Sequence, residues 1–224
     1  MKRPAAVIFD CDGVLVDSEV LALEVELETL AALGLSYDLP TFRRRFLGMH
    51  DIAFRDALDA DRRAVHGLPL PEDFLDVVHE RRRAAVDARL TEVRGARAAV
   101  AALALPRAVA SSTGTAFLER KLRKTDLWSL FAPHAYSADL VPRGKPAPDI
   151  FVYAASAVGV APDSCLAIED SANGVIAARA AGMRVWGFTG GGHCGPETAD
   201  ALHDAGAERV IATWSEARAH FTAF

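Results

Sequence analysis

Lysine is scarce in this chain: it stands at Lys2, Lys121, Lys124 and Lys145 alone, in a total of 25 Lys plus Arg. Cysteine is scarcer, with Cys11, Cys165 and Cys194. Three thiols cannot all pair, and two of them fall in or beside apolar, strand-like runs, where a thiol behaves as a small hydrophobe. A disulfide-stapled secreted scaffold is thereby excluded and a reduced compartment is expected. No run of about 18 apolar residues occurs, so no membrane span is expected. The stretch Met1-Lys2-Arg3-Pro4 leads at once into an apolar run, so no signal peptide is expected. There is no surplus of basic charge, the net being −5, and no basic stripe with interleaved aromatics, which argues against a nucleic-acid partner. Internal repeats and low-complexity tracts are also missing. Cytoplasm is the expected setting, with neither membrane nor nucleic acid expected as partner. At 224 residues and 51% hydrophobic, it can bury a sizeable core in one domain with room for a smaller inserted one.

Periodicity divides the chain. Ser18 is a candidate N-cap, and Val20, Leu21, Leu23, Val25, Leu27, Leu30 and Leu33 follow at roughly helical spacing until Gly34. Helical signals continue without strands: Pro40 to Phe46, Asp51 or Ile52 to Leu58, and a longer segment from Pro71 carrying Phe74, Leu75, Val77, Val78 and Val86. From about Thr91 the pattern changes to helix, strand, helix. Strands are expected near Ala108, Ala135, Leu166, Val185 and Val210, in addition to Ala5–Phe9, and Ala96 to Ala104 is rich in the best helix former. Such alternation predicts a parallel sheet with helices on both faces.

The chemistry gathers where apolar strands end. Ala5-Ala6-Val7-Ile8-Phe9 delivers Asp10-Cys11-Asp12-Gly13, two carboxylates two residues apart, with a glycine that lets the backbone turn sharply and a carbonyl join the same site. Parallel α/β sheets place their chemistry at these ends. Cys165-Leu166-Ala167-Ile168 delivers Glu169-Asp170-Ser171, followed by Asn173-Gly174. Acidic residues so placed are costly without a cation to share, and a hard divalent cation takes oxygen ligands, so the pattern points to Mg²⁺. Between them, Ala108-Val109-Ala110 runs into the hydroxyl-rich turn Ser111-Ser112-Thr113-Gly114, suited to phosphate oxygens. Gly144-Lys145-Pro146 sets one of the few lysines before a proline, which biases it to extended backbone.

Taken in order, Asp10-Cys11-Asp12-Gly13-Val14, Ala110-Ser111-Ser112, Gly144-Lys145-Pro146 and Glu169-Asp170-Ser171 with Gly174 resemble the motifs of the haloacid dehalogenase superfamily of aspartyl phosphotransferases, in its branch of small phosphatases and β-phosphoglucomutase-like proteins. Each motif is weak alone; four in register across nearly the whole chain are specific. The resemblance implies an α/β fold, a Rossmann-like parallel sheet core with an inserted all-helical cap domain. The core would be residues 1–17 and 91–224 and the cap 18–90, hinged near Asp17 and Leu90.

It also implies roles. Asp10 is the nucleophile that forms an aspartyl phosphate. Mg²⁺ is held by Asp10, the backbone carbonyl of Asp12 and Asp170, with Glu169 as a further or water-mediated ligand. Lys145 neutralises Asp10 and a phosphate oxygen together, and Ser111 with the backbone around Ser112 donates to the phosphate. Asp12 serves as acid to the leaving alcohol and then as base to water, a function worth roughly 10²- to 10⁴-fold. The expected partner is a small phosphorylated metabolite and the expected state a monomer or weak dimer.

The second aspartate separates branches. The dehalogenase branch lacks it and uses no metal; the phosphonate-cleaving branch commonly has alanine there and a cap lysine, whereas residues 18–90 contain no lysine. The mutase branch commonly has a histidine near the position of Ala22. Hydrolysis of a sugar or sugar-acid phosphate is therefore favoured over a β-phosphoglucomutase-like transfer. A non-catalytic binding protein on the same scaffold would be expected to have lost nucleophile, acid or lysine, and none is lost. Arg43-Arg44-Arg45 and Arg81-Arg82-Arg83 read first as solvated faces, because consecutive helical residues point in different directions. Gly48-Met49-His50 reads as a specificity loop or a plain turn. Gly190-Gly191-Gly192-His193-Cys194 lacks the rest of a phosphate cradle or zinc site and reads as a flexible loop.

Overall fold

The computed structural model describes residues 3–46, 49 and 51–221. In chain order the first elements are β1 (Ala6–Phe9), α1 (Ser18–Ala32), α2 (Leu39–Phe46), α3 (Asp51–His66), α4 (Phe74–Arg89) and α5 (Ala96–Ala101). Then come β2 (Arg107–Ser111), α6 (Thr115–Lys124), α7 (Trp128–Phe131), β3 (Ala135–Ser137) and α8 (Asp149–Ala157). The chain ends with β4 (Cys165–Glu169), α9 (Ala172–Ala180), β5 (Arg184–Phe188), α10 (Thr198–Asp204), β6 (Arg209–Ile211) and α11 (Trp214–Phe221).

All six strands run parallel in one sheet of order β3-β2-β1-β4-β5-β6. The strand runs are apolar almost throughout because both faces are covered: every residue of β1 and of β4 is buried. On one face Ile150, Phe151 and Ala154 of α8 and Val175 and Ala178 of α9 join Ile8, Ala108, Ala167 and Val185 in a single cluster. Aromatic rings fill the other face, Phe9 against Phe131 at 5.6 Å and Trp214 against Phe188 at 4.9 Å. Phe9 lies opposite both Val109 and Ile168, so Asp10, Ser111 and Glu169 leave the sheet along one edge. That edge lies where the chain crosses from β1 to opposite sides, the place where open α/β sheets bind ligands.

The chain divides into two compact units, Met1–Glu19 with Leu90–Phe224, and Val20–Arg89. The sequence reading places these junctions at 17/18 and 90/91; Ser18 and Glu19 of α1, and Leu90, fall with the sheet unit. The described residues of the second unit form helices joined by turns, with no strand among them, closed around Leu30, Phe42, Phe46, Phe54, Leu58, Phe74 and Val78. The apolar periodicity ends α3 at Leu58, yet the helix runs to His66. An Arg63–Asp59 pair one turn apart at 2.7 Å carries it over the polar stretch. Among the described residues no helix is long and apolar enough to cross a membrane.

Candidate active site

Asp10 leaves β1 with its backbone N–H still donating to Ile168 O at 2.9 Å, which fixes the carboxylate at the sheet edge. Gly13 then turns the chain with φ +76°, and a Cβ there would sit 1.8 Å from Asp170 Oδ2. Glycine is required at that point on both counts. Lys145, with 6% of its side chain exposed, donates to Asp10 Oδ1, to Glu169 Oε1 at 2.6 Å and to Ala110 O at 3.0 Å. Three acceptors meet the three N–H bonds of one ammonium, which accounts for a charge kept out of water. Burial pulls the Lys145 pKa down, but the charges of Asp10 and Glu169 outweigh it and hold the amine above its usual range.

Glu169 is fully buried, and its second oxygen accepts from Asp170 N, Ser171 N and Ser171 Oγ at 3.0–3.2 Å. Gly174 leaves the room for this: a Cβ there would fall within 1.8–2.2 Å of the Glu169 carboxylate. In this arrangement Glu169 anchors Lys145. Asp10, Glu169 and Asp170 each offer an oxygen within 4.8 Å of one another. Burial raises the Asp10 carboxyl well above its ordinary range; Lys145 opposes the shift while Glu169, Asp170 and Asp12 add to it. Burial likewise pushes Asp170 up to about 6, against the pull of His193. Buried carboxylates crowded to this degree share either protons or a cation. An all-oxygen donor set fits a hard divalent ion.

Asp12 is held apart from that group. Its Oδ1 accepts from Lys121 Nζ at 2.5 Å and from the Ser18 hydroxyl, and its Oδ2 accepts from Thr113 Oγ1 at 2.6 Å. Burial would raise this carboxyl, yet the Lys121 charge and these three hydrogen bonds hold it below the usual range. Of the hydroxyl turn, Ser111 is fully buried with its Oγ accepting from Thr113 N at 3.0 Å, and Ser112 is exposed. Ser137 Oγ fastens the turn from β3 by donating to Thr113 O at 2.7 Å.

The structure thus brings Asp10, Lys145, Glu169 and Asp170 together and sets Asp12 beside Ser18, Thr113 and Lys121. It also corrects the reading of Gly190 to Cys194 as a flexible loop. Gly192 N donates to Asp17 Oδ1 at 3.0 Å, and His193, 5% exposed, places Nε2 3.2 Å from Asp170 Oδ2. Burial pulls the His193 pKa down, but the hydrogen bond and charge of Asp170 prevail and lift it to about 11. Lys121, Ser18 and His193 are therefore site residues that motif reading misses, and Thr113, read within the hydroxyl turn as facing phosphate, donates to Asp12. For Lys121 a signal exists: Leu118, Lys121 and Leu122 lie on one buried face of α6, where a lysine is out of place. For His193 none exists, because its neighbour Asp170 is fixed by strand order and not by spacing.

The arginine runs pair with acids and hydroxyls of the helical unit itself, mostly at its surface but with Arg82 on the buried Glu26. Arg45 pairs with Asp61, Arg81 with Glu28, Arg82 with Glu26, and Arg44 donates to Thr41 Oγ1. Gly48 and His50 of the suggested specificity loop lie outside the described residues, and Met49 is exposed.

Comparison with known proteins agrees with this geometry. The family description "haloacid dehalogenase-like hydrolase" matches residues 4–182. Hexitol phosphatase B of Escherichia coli is 35% identical over 186 residues, 82% of each chain. A phosphorylated carbohydrates phosphatase of Thermotoga maritima is 32% identical over 210 residues, 92% of this chain and 93% of that one. Among solved structures, a HAD family hydrolase of Deinococcus radiodurans with bound phosphate and sodium superposes with a TM-score of 0.86 at 37% identity, covering 99% of this chain and 97% of that chain.

Proposed function

The chain belongs to the haloacid dehalogenase-like hydrolases and is a phosphoric monoester hydrolase, and we propose that it hydrolyses a small phosphorylated sugar or sugar acid, with Mg²⁺, through a phosphoryl group carried on Asp10. The observation that carries this reading is the division of the two aspartates: Lys145 gathers Asp10 with the acidic group, while Lys121, Ser18 and Thr113 keep Asp12 beside it but separate. One carboxylate is set for attack and the other for proton transfer. The substrate class follows from the relatives named for hexitol and carbohydrate phosphates.

In the first step an Asp10 oxygen forms a bond to phosphorus as the bond from phosphorus to the alcohol oxygen breaks, and Asp12, ionised in the resting site, first takes up a proton from bulk solvent and then delivers it to that oxygen. In the second, water forms the bond to phosphorus, the bond to Asp10 breaks, and the water proton goes to Asp12. Lys145 favours the ionised nucleophile and pairs with phosphate oxygens, and the Ser111 turn lines the phosphate with hydrogen-bond donors. Asp10, Asp170 and the Asp12 carbonyl would hold Mg²⁺, which would supply positive charge at the phosphate. The three cysteines are unpaired, in keeping with a cytoplasmic setting.

The deciding experiment is hydrolysis of a panel of hexose, hexitol, sugar-acid and nucleotide monophosphates, with Mg²⁺ and with excess chelator, ranked by kcat/KM. The reading expects sugar or sugar-acid phosphates to lead, chelation to abolish turnover and added Mg²⁺ to restore it. Full activity in chelator, or nucleotides far ahead of sugars, would overturn it. Release of an isomeric sugar phosphate in place of inorganic phosphate would establish the mutase.

A further inference from the structure

The two buried lysines of the sheet unit are divided between the two aspartates, and only one of them, Lys145, belongs to the motifs. Lys121 comes from the middle of α6 with 7% of its side chain exposed, whereas Lys124, one turn on, is exposed. Burying an ammonium is expensive unless charged and polar groups receive it. Those present are Asp12 Oδ1 at 2.5 Å and Thr113 Oγ1 at 3.1 Å, with the Phe117 ring centroid 4.7 Å away. The acidic cluster comprises Asp10, Glu169 and Asp170, and Asp12 is not in it although it lies two residues from Asp10.

We propose that Lys121 is a positioning residue for the proton-transfer step: it holds the Asp12 carboxylate out of the acidic cluster and fixes which of its oxygens exchanges the proton. With Lys121 and Ser18 both donating to Oδ1, that oxygen is an acceptor on both sides. Oδ2 faces only the Thr113 hydroxyl, which rotates between donor and acceptor. Oδ2 is therefore the oxygen that gives its proton to the leaving alkoxide and later takes one from water. Without Lys121 the carboxylate is free to turn toward Asp10 and Asp170, where it competes for the cation and no longer faces the leaving group.

This inference rests on the phosphatase reading, and its test separates the two. Wild type, Lys121→Met, Asp12→Ala and the double variant are compared with the best sugar phosphate of the panel and with p-nitrophenyl phosphate, whose leaving group barely needs a proton. Phosphoenzyme formation is followed in a single turnover. Lys121→Met is expected to lose on the order of 10²-fold with the sugar phosphate, to lose less than about tenfold with the nitrophenyl ester, and to add nothing in the Asp12→Ala background. Thr113→Val, which removes the hydroxyl's bonds to Asp12 Oδ2 and from Lys121 Nζ but preserves shape and leaves the Lys121–Asp12 contact, shows the same pattern at smaller size and keeps the test open if Lys121→Met fails to fold. Equal losses with both esters, or losses that add to those of Asp12→Ala, would overturn the inference while leaving the phosphatase reading intact. Absence of a phosphoenzyme in the wild type would overturn the reading itself.

Discussion

In the helical unit the cations are arginines, and most of their partners lie at the surface: Arg45 meets Asp61 with 43% and 22% of the two side chains exposed, and Arg81–Glu28 and Arg89–Glu24 are more open still, while Arg82 alone of these reaches a buried carboxylate, Glu26. In the sheet unit two lysines are buried, Lys121 on Asp12 and Lys145 on Asp10 and Glu169. Surface arginine pairs contribute little, each about 0–1 kcal/mol, and keep a small helical unit soluble. Buried lysine–carboxylate contacts are a different matter, because desolvation offsets much of their Coulomb attraction and a packed apolar pair is often as stable. A fold that retains two of them at one sheet edge retains them for chemistry. The contrast teaches where to look in this chain: the scarce cation marks the site and the abundant one marks the surface.

The contrast is broken most directly at Asp10. Asp10→Asn is expected to abolish turnover, since no second carboxylate is placed for the covalent step. The fold should survive, because the substitution removes a buried carboxyl whose ionisation burial opposes and Glu169 still receives Lys145. Turnover within tenfold of wild type, with circular dichroism unchanged, would remove Asp10 from the mechanism. Lys145→Met comes next. It is expected to cost about 10²- to 10³-fold in kcat/KM, the scale of losing one charge-stabilising donor. It should also lower stability, because Asp10 and Glu169 are left facing each other without their cation. A Lys145→Met protein that keeps its activity and loses only stability would make this lysine structural.

The acidic group gives a pH prediction of intermediate size. Asp170 is held up to about 6 by burial, so a fraction that grows below pH 6 carries a proton in the metal-free protein. A protonated carboxyl does not ligate Mg²⁺, so apparent affinity should fall as pH drops through 6, by about tenfold per unit once that single group dominates. Above pH 6 the Asp170 contribution should level off, and any further rise belongs to Asp10, whose carboxyl burial also raises. Calorimetric titration of Mg²⁺ from pH 5 to 8 reads this without turnover. An affinity flat across that range would mean that Asp170 is ionised throughout or is not a ligand.

Much of this was legible because it is local. The six strands follow from apolar runs punctuated by glycine and acidic residues, and the motif order places Asp10, Glu169 and Asp170 where strands end and Lys145 in the connection from β3 to α8. What motifs could not give are the partners set by strand order and helix facing. Lys121 is 109 residues from Asp12 and becomes its partner only because β2 pairs with β1 and α6 turns one face inward. Glu169, written by resemblance as a further metal ligand, has its carboxylate occupied by Lys145 and the Ser171 turn. Adjacent acids on an extended strand face opposite ways, so the register of the last strand residue decides which one anchors the lysine.

The smallest expected effect comes from the helical unit and tests the other half of the contrast. Arg45 makes two hydrogen bonds of 2.6 Å to Asp61, which also accepts from the Tyr37 hydroxyl at 2.5 Å, and its guanidinium lies 4.9 Å from the Phe46 ring centroid. Arg45→Met removes the charge but keeps an apolar stem over the ring, and Tyr37 continues to satisfy Asp61. Partial exposure and solvent screening limit the pair, so unfolding by denaturant should shift by no more than about 1 kcal/mol. The shift should shrink as salt is raised, and kcat with the preferred phosphate ester should stay within twofold. A loss of several kcal/mol would place this arginine among the buried charges and end the division of labour between the two cations. A large fall in kcat with stability unchanged would instead make Arg45 a substrate contact, and the bidentate geometry at Asp61 would then be a resting position.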